Sequence, residues 1–168
     1  QPARDVLDGR RSAKTEVYSV DHLIGMQPLF ADIYAGAALA GITVETLISE
    51  YAPGQYELTL HHRADIMQVA DDLARLKRIV RAQARRHGVV ACFMAKPLAD
   101  YAGSGMHLHV SLCNDAERNM LAEEPDNGWN DMLRHAICGM LVTMAESMLV
   151  FAPHANSWRR SANQSYAP

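Results

Sequence analysis

Ile42-Thr-Val-Glu-Thr-Leu-Ile-Ser-Glu-Tyr-Ala-Pro-Gly-Gln-Tyr-Glu-Leu-Thr-Leu-His-His62 is the stretch whose reading decides the fold. Ile42 to Glu50 is rich in Thr, Val and Ile, and Tyr56 to His62 alternates in character, so both segments read as strands. Ala52-Pro-Gly-Gln55 between them supplies turn chemistry, because Pro presets φ and Gly accepts a left-handed backbone. A β-hairpin is predicted.

Outward from the hairpin the periodicity changes. A helical pattern starts at Asp21, carries Leu23, Met26, Leu29, Phe30, Ile33 and Tyr34 at spacings of three and four, and ends near Gly41. Pro28 either kinks this helix or marks its true start. On the other side, Ala64 to Arg86 is the clearest helix, with Asp65 near its start, Ile66, Val69, Leu73, Leu76 and Val80 on one side, and Gly88 as a stop. Its basic run Arg81, Arg85 and Arg86 is expected to be a solvated face suited to a helix C-terminus.

Val89 to Met94 and Gly105 to Leu112 are predicted strands, and Asn114 to Asn127 a loop or small hairpin. A long helix follows from about Trp129 to Phe151, and the final stretch reads as irregular. Residues 1 to 16 lack periodicity and read as a loop or a frayed end. The order helix, hairpin, helix, two strands, helix implies an α+β fold, an antiparallel sheet backed by helices.

Composition sets outer bounds. The 168 residues suffice for one domain, 49% are hydrophobic, and the formal net charge is -3. With no basic excess to neutralise a phosphate backbone, no nucleic-acid partner is expected. No apolar run approaches the ~20 residues of a bilayer span, so no membrane partner is expected. Cys92, Cys113 and Cys138 are odd in number and lack a CxxC pairing, which points to a reducing compartment, the cytoplasm.

Three constellations carry chemistry. Glu50 and Glu57 lie on opposite arms of the hairpin, and hard divalent cations need carboxylate oxygens brought together in this way. The same residues equally suit a solvent-facing sheet edge. In Gly103-Ser-Gly-Met-His-Leu-His109 a period of two puts both imidazoles on one face of a strand, for metal or phosphate contacts or for ordinary hydrogen bonding within a sheet. Asn156-Ser-Trp-Arg-Arg160 offers guanidinium forks matched to carboxylates, or simply solvated arginines.

These blocks, in this order and with Phe93-Met-Ala-Lys-Pro97 before the glycine-rich run, closely resemble the glutamine synthetase family from about Tyr18 to Pro168. The resemblance implies that residues 1–168 are an internal segment of that family's catalytic domain. It implies Glu50 and Glu57 as ligands of one Mg²⁺ or Mn²⁺, with Glu50 also near the incoming amine, and His107 as a ligand of a second metal beside ATP. Glu45, His109 and Ser111 correspond to nucleotide contacts, Gly103 to backbone of the glutamate pocket, and Arg160 to the arginine that binds glutamate. Tyr18 corresponds to an ammonium-site tyrosine, across a shorter spacing.

The implied activity is ATP-dependent joining of an amine to the γ-carboxylate of glutamate through a γ-glutamyl phosphate. Ala102 stands where members that make glutamine usually have Asn, which leans the likeness toward the branch that uses polyamines such as putrescine. Further metal-binding glutamates and an N-terminal domain belong to the family outside this segment. These 168 residues are therefore expected to hold roughly half of a site and to show no turnover alone, while the parent is expected to be a homo-oligomeric ring. A non-catalytic protein that kept the fold is the alternative.

Overall fold

The computed structural model describes residues 17–116, 118–121, 123–124 and 128–161. The loop expected over residues 1 to 16, and the stretch after Ser161, lie outside the described residues. The chain begins with two helices, α1 (Val20–Gly25) and α2 (Gln27–Leu39), where the periodicity predicts one. Pro28 is the reason: it occupies the first turn of α2, where a missing N–H costs nothing, but it could not continue α1. Met26 takes the break, its N–H turned back to the Leu23 and Ile24 carbonyls. Gly41, at φ 72°, ends α2 in the left-handed region.

β1 (Val44–Ser49) and β2 (Tyr56–Leu60) form the predicted antiparallel hairpin, with Ile48 opposite Glu57 and Ser49 opposite Tyr56. The register shifts between Val44 and Thr46, so Glu45 is the extra residue of a bulge. Directly opposed and alternate residues share a face. Val44, Leu47, Tyr56, Leu58 and Leu60 accordingly pack against the core, while Ile48 and Glu57 point the other way.

That core is Leu29, Phe30, Ile33 and Ala37 of α2, Ile42, and Leu76 of α3 (Ile66–Arg86). Phe30 meets Tyr56 edge to face, with ring centroids 4.9 Å apart. Asp65 caps α3 by accepting from the Gln68 N–H at 3.0 Å, and Gly88, at φ 71°, stops it. Gly36 lets α2 approach α3 closely, since a Cβ there would stand 2.9 Å from Ile79 Cγ2. Gly36→Ala gains about 1 kcal/mol of helix propensity but forces a stiff β-branched neighbour aside, which costs about 1–3 kcal/mol. The expected outcome is a lower melting temperature in thermal denaturation.

Asp72 is the buried polar anchor of this half, at 3% exposure. It accepts from Gln68 Nε2 at 2.7 Å and pairs with Arg63 Nε at 3.3 Å and Arg75 Nη1 at 3.8 Å. Arg63 also donates to the Gly41 carbonyl, tying the β2–α3 loop to the α2–β1 turn. His87 and Asp32, 2.8 Å apart, join α3 to α2. Arg81 is not merely solvated: its guanidinium lies 4.9 Å from the Phe93 ring centroid, a cation–π contact.

Beyond α3 the structure departs from the two predicted strands. Residues 89–94 and 105–112 form no ladder, and Val90, Leu108 and Val110 are 90%, 63% and 76% exposed. A strand needs a neighbour for its N–H and C=O groups; among the described residues the second segment meets one at its end, where the Leu112 carbonyl accepts from the Met120 N–H at 2.6 Å beside the bridge of Cys113 to Asn119. A small hairpin pairs β3 (Glu123–Glu124) with β4 (Gly128–Trp129), and α4 (Asp131–Phe151) follows with Asn130 as its cap. Where an irregular end is expected, α5 (Ala155–Ser161) forms.

α4 has no buried residue. By length and composition alone its 21 residues would suffice to cross a membrane. The whole remains α+β, small antiparallel sheets with helices.

Candidate functional site

The hairpin tip is held by its own backbone. Glu50 N–H donates to the Gln55 carbonyl at 2.8 Å, Gln55 N–H to the Ala52 carbonyl at 2.9 Å, and Gly54 supplies the left-handed turn at φ 73°. This pairing puts Glu50 opposite Gln55, on the face that also carries Glu57. Both half-buried carboxylates therefore share the side turned away from the core. Glu50 Oε2 also accepts from the Tyr51 N–H at 3.0 Å. Tyr18, at the left-handed φ of 59°, donates its N–H to the Ser49 carbonyl and so stands beside Glu50.

The three sequence blocks come together through specific ties. Gln55 uses both ends of its carboxamide: Oε1 accepts from the Ala52 N–H at 3.0 Å, and Nε2 donates to the Gly103 carbonyl at 2.8 Å. Gly105 lies under Arg160, where an added Cβ would come within 2.9 Å of Nη2. Asn156 pairs with the Lys96 backbone, accepting from its N–H and donating to its carbonyl, each at 2.8 Å. Ser104 N–H donates to the Ala95 carbonyl at 2.8 Å, joining the glycine-rich run to Phe93-Met-Ala-Lys-Pro97.

Of the predicted site residues, Glu50, Glu57, Gly103 and Arg160 thus stand on elements bonded to one another. Glu45 is the exposed bulge residue, and His107, His109 and Ser111 are exposed on a segment without strand pairing at those residues. The donor types suit Mg²⁺ or Mn²⁺ in kind. Among the described residues, however, no group of three or more His, Cys, Asp or Glu side chains is gathered to hold a metal.

Gln55 and Asn156 are the residues that motif reasoning left without a role. An amide two positions before Glu57 and another four positions before Arg160 are the available signal, but their partners lie 48 and 60 residues away. Replacing Gln55 by Ala leaves the Gly103 carbonyl and the Ala52 N–H without their side-chain partner. The expected result is a lower melting temperature in thermal denaturation, because the hairpin tip loses its tie to the glycine-rich run.

The model of the glutamine synthetase catalytic domain matches residues 1–168. A gamma-glutamylputrescine synthetase of Escherichia coli is 37% identical over 158 residues, covering 94% of this chain and 33% of its own length. A glutamine synthetase of Thermus thermophilus is 33% identical over 129 residues, covering 77% and 29%. A solved complex of GmaS with ADP superimposes with a TM-score of 0.80 at 27% identity, over 96% of this chain and 36% of that one. The chain spans about a third of the length of the curated relatives it matches.

Proposed function

The chain belongs to the glutamine synthetase family, and from that membership we propose that it is a segment of the catalytic domain of an ATP-dependent ligase joining an amine to the γ-carboxylate of glutamate. The observation that carries this reading is the convergence of hairpin tip, glycine-rich run and α5 through Gln55, Gly105 and Asn156. Side chains suited to cations and to carboxylates are thereby set on one framework.

In this reading a γ-carboxylate oxygen of glutamate attacks the terminal phosphorus of ATP and ADP leaves. The amine nitrogen then attacks the γ-carbonyl carbon, phosphate departs with the C–O electron pair, and the amine gives up a proton. Arg160 holds a substrate carboxylate by its fork of N–H donors. Gly103 supplies backbone to the same pocket, while Glu45, His109 and Ser111 face the nucleotide. Glu50 stands by the incoming cationic amine, favouring its capture. Glu50 and Glu57 would hold one Mg²⁺ or Mn²⁺ and His107 would be a ligand of a second, ions that would neutralise phosphate charge when bound.

For the amine, Ala102 favours a polyamine such as putrescine over ammonia: a small apolar side chain precedes Gly103 where Asn usually stands in members that make glutamine. We read the exposed apolar side of α4 as a surface covered by the rest of the longer protein, within a homo-oligomeric ring in the cytoplasm. The test is an amine screen on the full-length protein with ATP and Mg²⁺, comparing putrescine, ethanolamine and ammonia. Greatest kcat/KM with putrescine is expected. Preference for ammonia would overturn the amine assignment, and turnover with none would favour a non-catalytic protein.

A further inference from the structure

Asn156 and Arg160 are one helical turn apart on α5, so they share a face. Each grips a different part of the same neighbour. Asn156 pairs in both directions with the backbone of Lys96, a residue only 5% exposed, in the manner of a ladder residue that uses its side chain. The next residue back, Ala95, accepts from Ser104, and Ser104 leads directly to Gly105, over which the Arg160 guanidinium lies. A closed circuit runs from Asn156 through Lys96, Ala95, Ser104 and Gly105 to Arg160 and back along one turn of helix.

A circuit of this kind fixes position. α5 has no buried residue, so apolar packing does little to locate it. The paired 2.8 Å bonds of Asn156 are directional, and they fix both the height and the rotation of the helix against the Lys96 backbone. Where α5 stands determines where the guanidinium stands. We infer that Asn156 is a positioning residue, acting through Arg160 to set the affinity of the site for the carboxylate of its amino-acid substrate. This rests on the reading of Arg160 as the carboxylate-binding group.

The test uses the full-length enzyme with Asn156→Ala, Arg160→Ala and the double variant, reading KM for glutamate, KM for ATP, kcat and thermal stability. Asn156→Ala should raise KM for glutamate about tenfold or more, because a displacement of about 1 Å at a positioning group has effects of that size. KM for ATP should change little. In the Arg160→Ala background the same replacement should add almost nothing, since its effect travels through the missing guanidinium.

Asn156→Asp keeps the acceptor for the Lys96 N–H and loses the donor, so an intermediate KM is expected; it also answers the question if Asn156→Ala does not fold. Gly105→Ala displaces the guanidinium from the opposite side and should reproduce the glutamate defect. An unchanged glutamate KM in Asn156→Ala, or an equal rise with and without Arg160, overturns the inference. An unchanged glutamate KM in Arg160→Ala instead refutes the role given to Arg160 itself.

Discussion

Glu57→Gln in the full-length enzyme should lower kcat/KM by at least about 10²–10³-fold, the scale of losing one preorganised charge-stabilising group, while leaving the melting temperature unchanged. Gln keeps the shape of the side chain and one carbonyl oxygen but carries no charge, so it cannot neutralise a divalent cation. The face of the hairpin decides the stability half of this expectation. Glu57 lies opposite Ile48 on the side away from the core, whereas its sequence neighbours Tyr56 and Leu58 pack inward. Steady-state kinetics with thermal denaturation checks both halves, and titration calorimetry with Mn²⁺ reads the metal directly. Full activity in the variant would remove Glu57 from the proposed metal set.

Asp72→Ala should have the opposite signature, a large loss of stability. Asp72 is buried and accepts from Gln68 while pairing with Arg63 and Arg75. Removing one partner of a fully buried pair costs about 3–5 kcal/mol. The Arg63 and Arg75 side chains are 35% and 54% exposed and can turn to water, so a smaller loss of about 2–3 kcal/mol is expected here. Chemical denaturation of the full-length protein measures it. A shift within error would show that Gln68 and Arg63 re-form their bonds with water.

The contrast between these variants follows the division between what local sequence encodes and what it does not. The hairpin, α3 and α4 were legible because alternation, helical spacing and capping residues are short-range signals. Pro28 showed where the first helix could divide. α5 was hidden because Pro153 and Asn156 read as loop chemistry, while Asn156 in fact spends its amide on the distant Lys96 backbone. Residues 89–94 and 105–112 have strand-like sequences, but a sequence cannot supply the neighbour that a ladder requires.

The candidate site divides in the same way. Ordered motifs pointed to Glu50, Glu57, Gly103 and Arg160, whose elements are tied together. They could not reveal how: Gln55 reaching Gly103, Gly105 making room for Arg160 and Asn156 holding Lys96 are all non-local.

The bulge at Glu45 bears on how this hairpin tolerates changes of length. From Thr46 to Glu57 the strands run in strict phase, and inserting or deleting one residue within either strand would exchange its faces, turning carboxylates toward Phe30 and Leu76. Upstream the phase has already been reset once, at the cost of a single unpaired residue. Length variation between α2 and β1 can therefore be absorbed at the bulge without disturbing Glu50 or Glu57. Related chains should carry their insertions before Val44 and keep a constant count from Thr46 to the second carboxylate.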